Sequence, residues 1–240
     1  SYDSTRDGFG IGLKEVGELN EQVITLCADL SESTRTHWFQ ELFPERFIEV
    51  GVAEENMIGV AAGLALTGKI PFASSYATFV VNNALGPIRS SVCYTNSNVK
   101  IIGGHAGFCA HADGATHQAL EDIATMRVLP NMTVVVPCDK EEARKTTHAI
   151  SKHIGPCYLR VGKHKSLNIT NAKTPFKIGK ANILKKGRDL TIITCGSMVA
   201  ESLKAAAQLE KKHSIEVINM HTIKPLDHET ILKSVKKTGA

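Results

Sequence analysis

The chain is 240 residues long, 42% apolar and 22% charged, with a net charge of +4. That length suits one large α/β domain or two ordinary ones, and the apolar share can form a substantial core. The charge is spread over pairs such as Lys185-Lys186, Lys211-Lys212 and Lys236-Lys237, a solvated surface rather than a nucleic-acid groove. No apolar run approaches the ~20 residues of a membrane span, and no charged-then-apolar leader opens the sequence. Cys27, Cys93, Cys109, Cys138, Cys157 and Cys195 form no CxxC pair, as expected of a reduced, cytoplasmic protein with buried thiols.

From the N-terminus, the stretch "DGFGIGLKEVGELN" has apolar residues at helical spacing. Then come "VITLCAD" (23–29), a helical "STRTHWFQELF", "FIEVG" (47–51), a helical "EENMIGVAAGLALTG" and "IPFASS" (70–75). "VKIIGG" (99–104), a helical "HQALEDIATMRVL", "TVVVPC" (133–138), a helical "DKEEARKTTHAISKH" and "CYLRVG" (157–162) complete residues 1–162. The strand-length runs lack polar alternation, so they predict a doubly wound parallel sheet covered on both faces, with active groups at the strands' carboxyl ends. Residues 163–175, "KHKSLNITNAKTP", read as a linker. A second, partial α/β domain follows over 176–240, with strands at "DLTIITCG" and "IEVINMH" and helices at "SMVAESLKAAAQLEKKH" and "LDHETILKSVKK". Two or three strands leave apolar faces uncovered, so this looks like half of a larger domain.

Three stretches carry candidate chemistry. In "EVGVAEENMIGVAAGLALTG" a strand delivers Glu54 and Glu55 to a helix start, where the dipole favours carboxylates for structural reasons alone. The small residues Gly59, Ala61, Ala62, Gly63 and Ala65 suggest close backbone packing, with a subunit interface as one candidate. "SSYATF" puts Tyr76 and Phe79 past a strand end, as a stacking platform for a flat heterocycle or as plain core. "HAGFCAHADGATH" (105–117) concentrates His105, Cys109, His111, Asp113 and His117, but no spacing there matches a paired-ligand metal site. It reads instead as a strand-end loop, with His117 heading the next helix, whose imidazoles could bind hydroxyls or phosphate or move protons. "GFGIG" precedes any strand and so lacks the context of a nucleotide fingerprint.

Taken together, "STRDGFG", "ADLSESTRT", "VGVAEENMIGVAAGLALTGKIPFAS", "DGATHQALEDIATMRVLPNMTVVVP", "YLRVGK" and "INMHTIKPLD" resemble the transketolases, specifically the C-terminal, pyrimidine-binding subunit of the split, two-chain kind. The resemblance spans the whole chain and makes 176–240 the N-terminal half of the transketolase C-terminal domain. It implies thiamine-diphosphate-dependent transfer of a two-carbon ketol unit between sugar phosphates, as in the pentose phosphate pathway. It also implies a site shared with a separate diphosphate-binding subunit that holds the diphosphate and Mg2+ or Ca2+, in a dimer or heterotetramer. Glu54 matches the glutamate that hydrogen-bonds the cofactor's pyrimidine nitrogen, Phe79 a stacking ring, and Asp29 with Leu30 a strand end facing the cofactor. Arg6, Ser33 and Arg160 match residues that hold the sugar phosphate, and a guanidinium fork suits that anion. His105, Asp113 and His117 match groups on the sugar hydroxyls and carbonyl, with Glu54, His105 and His117 as the catalytic set.

The chain departs from the family in places. "NNALGP" (82–87) stands where the family has Gly-Arg-Ala-aromatic-Asp-Gln, so Leu85 replaces a ring. His111 and Ala112 replace a glycine and a glutamate. The family's Gly-Asp-Gly diphosphate motif has no counterpart, since "ADG" (112–114) lacks its first glycine; the chain is expected not to bind the cofactor productively alone. Two other readings compete: a related thiamine-diphosphate enzyme (deoxyxylulose-phosphate synthase or a 2-oxo-acid dehydrogenase β subunit), or a non-catalytic paralogue kept as an assembly partner. Arg6, Ser33 and Arg160 favour a phosphorylated sugar over a bare 2-oxo acid.

Overall fold

The computed structural model of the chain describes residues 1–239. In chain order it begins with strand β1 (Tyr2–Ser4), helix α1 (Thr5–Leu19), β2 (Val23–Cys27), α2 (Ser31–Thr34), α3 (His37–Leu42) and β3 (Phe47–Glu49). Next are α4 (Glu54–Leu66), β4 (Ile70–Tyr76), α5 (Ala77–Asn83), α6 (Leu85–Pro87), a wide helical turn over Ile88–Tyr94, and β5 (Lys100–Gly104). Tight turns at Phe108–Asp113 and Ala115–His117 lead to α7 (Asp122–Val128), β6 (Thr133–Val135), α8 (Lys140–Lys152), β7 (Cys157–Arg160) and β8 (Lys165–Leu167). The remainder holds β9 (Asn182–Lys185), β10 (Leu190–Thr194), α9 (Met198–Gln208), β11 (Ile215–Asn219), β12 (Thr222–Lys224) and α10 (His228–Thr238).

The main sheet has seven strands in the order β12-β6-β7-β5-β4-β2-β3, parallel throughout except for β12. Continuous apolar runs are needed because successive side chains face two different helical layers. Ile24, Leu26, Ala73, Ile101 and Val134 pack with Met57 and Ile58 of α4, Val80 of α5 and Met126 of α7. Val23, Phe72, Ile102 and Leu159 meet Phe9 and Leu13 of α1, Phe39 of α3 and Ile150 of α8 on the other face. Each such fully buried side chain stabilises the fold by ~1.5–3 kcal/mol. After β3 the chain crosses back over β2 to start β4, and this reversal opens a crevice at the carboxyl ends.

The opposite end of the sheet buries a cation. Lys100 is fully buried, and its Nζ donates to Asn98 Oδ1 at 2.7 Å and to the carbonyls of His153 and Gly155 at 2.7 and 2.8 Å. Burial lowers its pKa. Of the six free cysteines, Cys27, Cys93, Cys138 and Cys157 are buried, and burial pushes the Cys27 and Cys93 thiols up to about 11.

Three expectations need correction. The helix expected over 33–43 is broken, because Arg35 takes the left-handed conformation (φ 68°) while its Nε donates to Asp7 Oδ1 at 2.7 Å. His117 does not head the following helix: Gln118 is extended and Ala119 bridges to Gly107, so α7 begins only at Asp122. The segment 163–175 is more than a spacer. Its β8 pairs antiparallel with β1, and Asp139 accepts the Ile169 and Thr170 N–H groups at 2.7 and 2.5 Å. The second sheet, β10-β11-β9, is small, and β12 leaves it to join the edge of the main sheet.

Candidate active site at the carboxyl ends of the strands

Two turns deliver the acidic side of the crevice. Past β2, Asp29 adopts φ 57° and donates its N–H to Glu49 Oε1 at 2.7 Å, leaving its own side chain exposed and Leu30 half-buried. Past β3 the chain enters α4 directly at Glu54, which is 4% exposed. Ser75 Oγ donates to Glu54 Oε1 at 2.9 Å, and Asn83 Nδ2 donates to Oε2 at 3.3 Å. A buried carboxyl is thus held from both sides by neutral donors. Glu55, its neighbour, faces solvent.

A ring cluster adjoins it. Tyr76, at the end of β4, stacks on Phe79 of α5 (centroids 5.9 Å apart, planes at 10°) and on His105 (4.0 Å, 27°). His117 meets Tyr76 and Phe79 edge-on, at 6.1 and 5.0 Å. His105 follows β5 with φ 53° and is 2% exposed. Its pKa is lowered to about 4, first by burial and then by Arg6 and Lys163. The ring is therefore neutral at pH 7. Arg6 Nη1 lies 3.5 Å from His105 Nε2, and arginine can only donate, so the hydrogen of the neutral ring belongs on Nδ1. That Nδ1 is buried and has no partner among the described residues, and neither has Arg6 Nε. Both are donors that can serve a ligand oxygen at the mouth of the crevice.

The other charged groups of the crevice lie on three segments. Arg6 of α1 reaches across to donate to the Ser33 carbonyl at 2.9 Å. Arg160 ends β7, its Nε donating to Asp122 Oδ2 at 2.7 Å. Asp113 is exposed and lies 3.7 Å from Lys163 Nζ. Phe108, His111, Leu120, Arg160, His164 and Met198 line a cleft of about 480 Å3 beside the loop.

Arg6 therefore touches both Ser33 and His105, and Tyr76 connects Phe79, His105 and His117. Glu54 is linked to them through Ser75 and Asn83. Asp113 and Arg160 are instead tied to Lys163 and Asp122. The sequence reading missed Ser75, Asn83, Lys163 and Asp122. Only Asn83 left a signal, because it lies in the "NNALGP" stretch that departs from the family. Ala112 and His111 are both exposed.

This fold defines a class: the transketolase pyrimidine-binding domain matches residues 3–167, and the transketolase C-terminal domain matches 179–240. A candidate transketolase C-terminal section from Methanocaldococcus jannaschii is 46% identical over 236 residues, covering 97% of this chain and 75% of its own length. A 6-deoxy-6-sulfo-D-fructose transketolase subunit from a Clostridium species is 41% identical, covering 98% and 73%. A split-gene transketolase solved as an inactive β4 tetramer superposes with a TM-score of 0.92 at 43% identity, over 99% of this chain and 77% of that one.

The chain belongs to the transketolase family, as a C-terminal section of the split kind and a transketolase-type transferase subunit. The family depends on thiamine diphosphate. Glu54 and the Tyr76–Phe79 rings fit that cofactor's pyrimidine end, offering a buried carboxyl and flat faces. Among the described residues no three His, Cys, Asp or Glu side chains gather into a metal-holding group. No helix among them is long and apolar enough to cross a membrane.

Proposed function

We propose that this chain is the pyrimidine-binding half of a two-chain transketolase, transferring a two-carbon ketol unit between sugar phosphates once a diphosphate-binding subunit completes the site. The observation that carries the reading is the buried Glu54 carboxyl, fixed by Ser75 and Asn83 beside the Tyr76–Phe79–His105–His117 rings. When bound, thiamine diphosphate supplies the electron sink for carbon–carbon cleavage. Glu54 hydrogen-bonds its ring nitrogen, Phe79 stacks on the ring, and Asp29 and Leu30 border it. The partner subunit holds the diphosphate and Mg2+ or Ca2+.

Arg6, Ser33 and Arg160 hold the anionic end of the sugar, while Asp113 and His117 contact its hydroxyls. His105 donates a hydrogen bond from Nδ1 to a sugar oxygen, orienting it and stabilising negative charge that develops there. The cytoplasm is the expected compartment, and sugar phosphates of the pentose phosphate pathway are the first substrates to test. The Clostridium relative is named for a sulfonated sugar, so the panel includes one.

Mixing the chain with a diphosphate-binding subunit, thiamine diphosphate and magnesium should give a hetero-oligomer with ketol transfer that neither chain has alone, and no pyruvate decarboxylation. Failure to form a complex, or a complex equally active with Glu54→Gln, sinks the proposal.

A further inference from the structure

Arg160 is held by Asp122, whose Oδ2 is engaged twice while its buried Oδ1 has no partner among the described residues. The Arg160 Nε donates to Asp122 Oδ2 at 2.7 Å, and its Nη2 reaches the Ala119 carbonyl at 3.4 Å. Nη1 has no partner among the described residues. Asp122 is 1% exposed, and the same Oδ2 also takes the Tyr158 hydroxyl at 2.7 Å. Burial and that carboxylate push the Tyr158 hydroxyl well above its ordinary pKa, so it remains a donor. Tyr158 crosses under β5 in space that only glycine leaves open: a Cβ at Gly103 would lie 2.1 Å from its Oη. On the opposite side, a Cβ at Gly107 (φ 67°) would lie 3.1 Å from Arg160 Nη2.

The stability value of such a pair is small. A buried ion pair loses in desolvation much of what it gains in attraction, and an apolar pair of similar volume does as well or better. What the frame gives is direction. A free arginine side chain samples many rotamers, whereas here the guanidinium plane is fixed at its Nε edge where Arg160 lines the cleft beside the 105–117 loop.

We propose that Asp122 is the positioning residue for substrate recognition, aligning Arg160 so that its free edge meets the anionic end of the sugar, with Tyr158 and Gly103 setting Asp122 in turn. This rests on the reading above that Arg160 receives that anion. Asp122 touches neither cofactor nor substrate. Its effect should therefore fall on KM for phosphorylated sugars and spare both kcat and unphosphorylated sugars.

The test uses two readouts. In the 15N-labelled chain alone, the Arg160 Nε–H signal, assigned by its loss in Arg160→Lys, should exchange slowly. Asp122→Asn, which keeps the volume, should release it to bulk behaviour, and Tyr158→Phe, which removes only the hydroxyl, should do so in part. Unchanged exchange in folded Asp122→Asn overturns the proposal.

In the complex with a diphosphate-binding subunit, Asp122→Asn should raise KM for a ketose phosphate about 10-fold, the loss of one aligned charge-assisted hydrogen bond. It should leave kcat within about two-fold and KM for the same sugar without phosphate unmoved. Adding Asp122→Asn to Arg160→Ala should cost nothing further, because a positioning residue has nothing left to position. Equal KM rises for both sugars, or additive losses, reduce Asp122 to a structural residue and overturn the proposal. If Arg160→Ala alone leaves KM for the phosphorylated sugar unchanged, the anion seat itself is refuted. The proposal then falls with it, on a variant in which Asp122 is intact.

Discussion

The two ends of the parallel sheet each hold a cation, fully buried at one end and half-buried at the other, and they partner it differently. Lys100, at the amino end, has three oxygen acceptors within 2.8 Å. Arg6, at the carboxyl end, keeps a buried Nε with no partner and sits beside His105, whose Nδ1 is equally alone. Positive φ at non-glycine residues occurs at both ends: Asp29, Arg35 and His105 border the crevice, while Asn96 and Asn131 precede β5 and β6. A buried charge is tolerated when its hydrogen bonds are complete, whereas buried groups without a protein partner mark a place where a ligand can supply one.

That contrast can be broken by exchange. Lys100→Ala strips the ammonium donor from the buried His153 and Gly155 carbonyls and leaves Asn98 Oδ1 with the Gly155 N–H alone, and should cost about 4 kcal/mol in urea unfolding. Arg6→Leu should stay within ~1 kcal/mol of wild type while abolishing anion recognition. Similar losses from both would erase the distinction. Glu54→Gln keeps the shape of the crevice but sets an amide against the donors of Ser75 and Asn83. Ketol transfer in the assembled enzyme should fall at least about 100-fold with the fold retained, measured as kcat/KM beside circular dichroism.

Acidity sharpens the comparison further. His105 and His221 are both held near about 4, chiefly by burial. Because their folded pKa values lie below the unfolded 6.5, the unfolded chain binds more protons between pH 6.5 and 4. Stability should be full above that window and fall as pH drops through it. His221 stacks on Phe176 away from the crevice, at 4.4 Å. Removing its titration with His221→Gln should flatten the decline between pH 7 and pH 5 by about 2 kcal/mol, seen as converging urea midpoints. The smallest effect concerns α4. A Cβ at Gly59 or Gly63 meets nothing within 4 Å, so Gly59→Ala should stabilise the isolated chain by ~0.5–1 kcal/mol. If that face is a subunit interface, as its small residues suggest, the same change should weaken assembly in sedimentation.

Much of this was legible beforehand, for a physical reason. Strands covered on both faces must be apolar throughout, so Val23–Cys27, Ile70–Tyr76 and Lys100–Gly104 announced themselves. Glu54, Phe79 and His105 lie at fixed offsets from those strand ends. What escaped was whatever depends on long-range partners. Ser75 and Asn83 look like ordinary polar residues until Glu54 folds between them. Asp122 reads as a helix-start acid until Arg160 arrives from 38 positions away. The break at Arg35 was hidden because "STRTHWFQELF" keeps helical spacing even though Asp7 captures the guanidinium.

The excursion of β12 has a mechanical meaning. By pairing with β6 it closes what would be an open edge of the main sheet, using a strand from the far end of the chain. The two parts of the polypeptide are laced together at that seam, and a hinge between them would have to tear hydrogen bonds. Arg160 ends β7, the strand next to β6, so that side of the sheet is backed by both parts of the chain. A fragment ended before Thr222 would expose β6 as a sticky edge, prone to pairing with its own copies.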